Sequence, residues 1–209
     1  MNIISHRGFW LESAEKNCES AFERSITFRY GIETDVRDLC GELVISHDMP
    51  TINQMLLEDF FKISNIKNIL LAINIKSDGL AKEILECALH HDIENYFAFD
   101  MSVPDMRSYL EYGVPVFCRM SEVEPNPPWI DECSGVWLDS FSQEWYGYQE
   151  LEKLLNTDKS ICIVSSELHG RSPINQWSLI KRFASAPNLM LCTDMPNDAD
   201  YFFNKGVTI

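Results

Sequence analysis

His6-Arg7-Gly8 closes one apolar run, Glu33-Thr34-Asp35 lies at the end of a second, and His47-Asp48 follows a third, all within the first 48 residues. Two imidazoles, a guanidinium and a pair of carboxylates are the groups that metal-assisted chemistry on a phosphate ester uses. Successive side chains of a strand alternate, so the Glu-x-Asp spacing puts both carboxylates on one face. Two carboxylates so placed repel, and a cation between them relieves the repulsion. Gly8 allows a sharp turn or a close backbone approach straight after His6-Arg7, and Cys40-Gly41 permits a tight turn before the third run.

Strand ends must hold these groups together. Strand-like apolar runs lie near residues 2–7, 31–36, 43–47, 68–76, 96–100, 115–119, 135–140, 160–166 and 189–194. Helix-like periodicity covers 17–29, 52–64, 80–91, 103–112, 144–156 and 174–185, several of these opened by Ser, Asn or Pro in capping positions. Taking 31–36 and 43–47 as one interrupted strand and its extension leaves eight strands. Eight strands alternating with helices predict an α/β protein, a compact (β/α)8 TIM barrel, with active groups at the carboxyl ends of its strands. His6, Glu33, Asp35, Asn74, Asp100, Arg119, Asp139, Glu167 and Asp194 all fall at or near such ends. After the fifth strand, Pro125, Pro127 and Pro128 leave space for only a turn or two of helix.

The order H-R-G, E-T-D-V and V-I-S-H-D resembles the glycerophosphodiester phosphodiesterase family, within the wider group of phosphatidylinositol phospholipase C-like barrels. Asn17 to Phe22 (N-C-E-S-A-F) is similar to that family's helix start after P-E-N-T, and Leu191 to Pro196 (L-C-T-D-M-P) is similar to its last strand, ending T-D-x-P. The resemblance spans residues 3 to 196. It implies a phosphoric diester hydrolase with one divalent ion, Mg²⁺ or Ca²⁺ with Mn²⁺ as a further option, held by Glu33, Asp35 and Asn74. It implies His6 and His47 as the general acid/base pair, Arg7 and Lys76 as charge-neutralising substrate ligands, and a small phosphodiester such as a glycerophosphodiester as substrate. The first attack comes from water or from a neighbouring substrate hydroxyl that gives a cyclic phosphate, and a non-catalytic phosphate-ester-binding barrel is a third reading. Two departures stand out. Relatives carry an acid-x-Lys pair where this chain has Asn74-Ile75-Lys76, and their P-E before the helix asparagine is replaced by Glu15-Lys16.

At 209 residues and 45% hydrophobic the chain can bury one good core, and no linker, repeat or low-complexity tract divides it, so one domain over 1–209 is expected. A net charge of −15 repels nucleic acid and anionic membrane surfaces while leaving a small anionic substrate compatible with a local basic pocket. No apolar run approaches the roughly 20 residues of a membrane-spanning helix, so no stable membrane association is expected. Seven cysteines, odd in number and never in C-x-x-C spacing, read as reduced and mostly buried thiols. With no basic-then-apolar segment ahead of His6, the cytoplasm is the expected compartment.

The remaining candidates each have a plainer reading. Arg119 and Arg171 suit substrate contacts at a barrel rim, Arg171 in a basic loop where barrels often hold phosphate, and each equally suits an ion pair. Trp137 and Trp145 suit a pocket wall or the core, and His90-His91 answers a helix dipole.

Overall fold

Strands buried on both faces need apolar side chains at consecutive positions, and the apolar runs of this chain form strands for that reason. The computed structural model describes residues 1–205. Its strands are β1 (Asn2–His6), β2 (Gly31–Leu39), β3 (Glu42–Ile45), β4 (Leu71–Ile75), β5 (Tyr96–Phe99), β6 (Val116–Met120), β7 (Gly135–Leu138), β8 (Ser160–Val164) and β9 (Leu189–Thr193). The α-helices are α1 (Glu19–Phe28), α2 (Leu57–Phe61), α3 (Ala81–His90), α4 (Val103–Tyr112), α5 (Tyr148–Leu155), α6 (Ile174–Ile180) and α7 (Pro196–Asp200).

The strand order is β1-β9-β8-β7-β6-β5-β4-β2-β3, with a further β1–β2 pairing. Leaving β3 aside, the eight strands make a closed (β/α)8 TIM barrel, as the alternation of strand and helix predicts. The ninth strand corrects the sequence reading. Residues 43–47 do not extend β2; β3 runs antiparallel beside it, pairing Val36 with Ile45 and Leu39 with Glu42. Cys40 (φ 53°) and Gly41 (φ 88°) both take the left-handed conformation that a two-residue hairpin turn demands.

Two compact units are distinguished, Met1–Ser5 with the segment from Cys118 onward, and His6–Phe117. Within the His6–Phe117 unit, β2, β4 and β5 pair in parallel. Phe22 of α1 meets Phe60 of α2 edge-on, ring centroids 4.6 Å apart, and Ile32 and Ile73 of the strands are buried. Ser102 caps α4, its hydroxyl accepting from the Asp105 N–H at 3.4 Å, and Gly113 ends the helix at φ 75°. Within the other unit, β7, β8 and β9 pair in parallel around the buried Val136, Ile161, Ile163 and Leu191. Among the described residues between β6 and β7 there are turns and no helix, where the prolines cluster.

Four cysteines, Cys118, Cys133, Cys162 and Cys192, are buried as expected, whereas Cys18 and Cys40 are exposed because they occupy a loop and a turn. Among the described residues no helix is long and apolar enough to cross a membrane.

Candidate active site

β1 delivers His6 and then turns sharply. Arg7 (φ 56°) and Gly8 (φ 81°) both take the left-handed conformation, and a Cβ on Gly8 would lie 2.9 Å from Ala21 Cβ, so only glycine lets α1 approach this closely. The cost of holding Arg7 there is of order 1 kcal/mol. It is offset where its backbone N–H donates to Glu33 Oε2 at 3.0 Å, while its Nε stands 3.0 Å from Asp35 Oδ2. His6 Nε2 lies 3.9 Å from Glu33 Oε2.

β2 supplies the acids. Glu33, Thr34 and Asp35 are all fully buried. Asn74 of β4 stands directly opposite Asp35 in the parallel register, so their side chains emerge on the same face, and Lys76 two residues on shares it. Lys76 Nζ lies 3.3 Å from Asp35 Oδ1 and 3.7 Å from Asp100 Oδ2, with Asp100 just past the end of β5 in a left-handed conformation (φ 68°).

The β2–β3 hairpin brings back His47. The Ser46 N–H donates to the Asp35 carbonyl at 3.0 Å, so His47 follows immediately after a residue tied to the acid strand. Its carbonyl accepts from Arg37 Nε at 3.1 Å, and its Nδ1 lies 2.8 Å from Asp48 Oδ1, with the side chain 44% exposed.

Three oxygens of this cluster are buried without a hydrogen bond: Glu33 Oε1, Asp35 Oδ1 and Asn74 Oδ1. Buried polar atoms are nearly always paired, and of these three only Asp35 Oδ1 has a charged neighbour, Lys76 Nζ at 3.3 Å, so the cluster asks for a ligand. Burial, and then the negative charge of Asp35, push the Glu33 carboxyl up to about 7; His6, Lys76 and the Arg7 N–H pull the other way without offsetting this. Two carboxylate oxygens and an amide oxygen form the donor set that Mg²⁺ and Ca²⁺ prefer, so the residues present fit a hard divalent cation. Among the described residues no three His, Cys, Asp or Glu side chains are grouped for a metal, and at Asn74 the donor is an amide that brings no charge.

Asn17 belongs to this cluster and sequence reasoning assigned it only to a helix start. Cys18 is the residue that precedes α1, and Asn17 (φ 59°) instead bonds Thr34 and Asp35. An asparagine before a helix reads as a cap, and nothing local in the sequence shows that its amide turns away from the helix. Glu15 and Lys16, which replace the resembled P-E, point to other partners: Glu15 pairs with Arg24 at 3.1 Å, and Lys16 Nζ sits 4.4 Å above the Trp10 ring.

The other unit carries its own polar cluster. His169 Nε2 lies 2.7 Å from Asp139 Oδ1, and Glu167 accepts from the Ser165 and Thr193 hydroxyls and from the Asp194 N–H at 3.2 Å. Arg119 Nε pairs with Glu124 at 2.6 Å, and Arg171 pairs with Glu144 at 2.6 Å and donates to the Ser140 carbonyl. Each of the two arginines thus holds an ion pair with a nearby carboxylate. Trp137 is in the core, and Trp145 Nε1 donates to the Asp139 carbonyl at 2.7 Å.

Solved structures share this architecture. A glycerophosphodiester phosphodiesterase from Parabacteroides distasonis superposes with a TM-score of 0.70 at 15% identity, covering 98% of this chain and 97% of its own. One from Agrobacterium tumefaciens gives 0.67 at 15% identity, covering 99% and 100%. The chain has the glycerophosphodiester phosphodiesterase fold. A Ca²⁺-dependent phosphatidylinositol-specific phospholipase C from Streptomyces antibioticus shares the fold at a TM-score of 0.56 and 9% identity, covering 95% of each chain. No family profile and no curated protein matches the chain.

Proposed function

We propose that the protein is a divalent-metal-dependent phosphodiesterase, a single barrel domain that hydrolyses a small phosphodiester such as a glycerophosphodiester. The observation that carries this reading is the set of three buried oxygens of Glu33, Asp35 and Asn74 that make no hydrogen bond, Asp35 Oδ1 facing only the Lys76 ammonium at 3.3 Å, beside His6 and Arg7. These three residues would hold Mg²⁺ or Ca²⁺. Bound there, the ion supplies Lewis acidity toward a non-bridging phosphate oxygen.

The chain's own side chains do the rest. Arg7 and Lys76, both anchored on Asp35, place two positive charges where the diester's remaining negative charge gathers during attack. Hydrolysis needs one base to take the proton of the attacking water and one acid to protonate the departing alkoxide. His6, beside Glu33, and His47, beside Asp48, are the two imidazoles for these transfers. Arg119 and Arg171, which pair with Glu124 and Glu144, are further candidate substrate ligands in this reading. The net charge of −15 supports a small substrate over a polyanion.

Metal content of the purified protein, measured beside turnover of a chromogenic phosphodiester, tests the proposal. Bound or added divalent ion should accompany turnover, and the phosphate product should carry the mass of one added water; a product lacking it would mean cyclisation. Full turnover with the ion stripped would overturn the metal site.

A further inference from the structure

Asn17 ties the first loop to both the Thr34 hydroxyl and the Asp35 carboxylate of β2. Its backbone is left-handed (φ 59°), a conformation asparagine tolerates better than other side-chain-bearing residues, and its N–H donates to the Arg7 carbonyl at 3.0 Å. Its side-chain Nδ2 donates to Asp35 Oδ2 at 2.9 Å, and its Oδ1 accepts from the Thr34 hydroxyl at 2.9 Å. Chemistry fixes the direction of this amide. A carboxylate only accepts, so the NH2 end must face Asp35, and the oxygen is left for a hydroxyl that can donate.

The consequence falls on Asp35. The terminal torsion of an aspartate is broad, and a carboxylate held by one contact can swing. Here Oδ2 accepts from Asn17 Nδ2 at 2.9 Å and stands 3.0 Å from Arg7 Nε in an ion pair, and Oδ1 is thereby turned to the buried side of the site, where it makes no hydrogen bond and has the Lys76 ammonium at 3.3 Å. We infer that Asn17, itself oriented by Thr34, is a positioning residue that turns the Asp35 carboxylate so that Oδ1 faces the divalent cation. This rests on the metal site proposed above. Residues that orient ligands in this way typically govern metal affinity by 10–100-fold.

The test is calorimetric titration of Mg²⁺ or Ca²⁺ alone into metal-free protein. Asn17→Gly removes the amide while keeping a residue at ease at positive φ, Thr34→Val removes only the hydroxyl that orients the amide, and Thr34→Ser keeps that hydroxyl. Asn17→Gly should bind roughly 10–100-fold more weakly. Thr34→Val should shift in the same direction and Thr34→Ser should return close to the wild type, while metal-free melting temperatures of the two Thr34 variants agree. Affinities unchanged in Asn17→Gly and Thr34→Val, with the wild type still binding, would overturn the positioning role and leave the metal site standing. A lowered melting temperature without a change in affinity would do the same. A wild type that takes up neither ion would overturn the metal site and this inference with it.

Discussion

Asp35 and Asn74 face each other in register across two parallel strands, and each carries a buried oxygen that makes no hydrogen bond, Asp35 Oδ1 having only the Lys76 ammonium 3.3 Å away. Neither strand could place its oxygen there alone; the pairing of β2 with β4 does so. In a cation site of this kind the amide contributes an oxygen and no charge.

Asn74 is therefore the most informative position to vary. Asn74→Asp adds a negative ligand and should tighten Mg²⁺ or Ca²⁺ binding, and Asn74→Leu, which supplies no oxygen, should weaken it. Turnover need not follow affinity, since an added charge also repels the substrate phosphate. Indistinguishable calorimetric affinities in the three proteins would make Asn74 a spacer.

The two imidazoles give a kinetic prediction. His6→Ala and His47→Ala should each lower turnover by about 100-fold or more with circular dichroism unchanged. A near-normal rate in either variant removes that histidine from the proton transfers.

The barrel strands were legible because strands buried on both faces are apolar throughout and then break at polar residues; β7 to β9 needed no more than that. The hairpin was less so. The segment Leu43 to Ile45 is apolar whether it continues β2 or folds back, and the turn at Cys40-Gly41 decides between them only when both φ values are seen to be positive. The partners of Arg119 and Arg171 show a different limit. Glu144 lies 27 positions before Arg171, and a pairing at that range depends on how two strand-end loops pack, which periodicity does not encode. Glu33 and Asp35 were legible because a two-residue spacing on a strand is itself geometry.

Glu33 predicts a pH dependence. Its ordinary value is 4.5 and its buried value about 7, so between these the folded state keeps a proton that the unfolded state has released. Stability of the metal-free protein must then fall as pH rises through this window, by about 3 kcal/mol for this group alone. Urea unfolding in chelator should show that loss in the wild type relative to Glu33→Gln, and saturating divalent ion should diminish it. Parallel pH profiles for the two proteins would exclude a raised Glu33.

Gly8 predicts a stability effect without chemistry. Gly8→Ala sets a methyl 2.9 Å from Ala21 Cβ at a φ of 81°, and should cost roughly 1–3 kcal/mol in urea unfolding. A variant as stable as the wild type would mean that α1 has room to withdraw from the turn.

Phosphorus NMR of a panel of glycerophosphodiesters, incubated with the protein in Mg²⁺ or Ca²⁺ and again in excess chelator, tests the central claim most directly. The account predicts a phosphomonoester resonance that grows with the ion present, stops in chelator, and is slowed in Glu33→Gln and Asp35→Asn until more ion is added. Conversion at full rate in chelator, or no conversion of any diester with either ion, would contradict it.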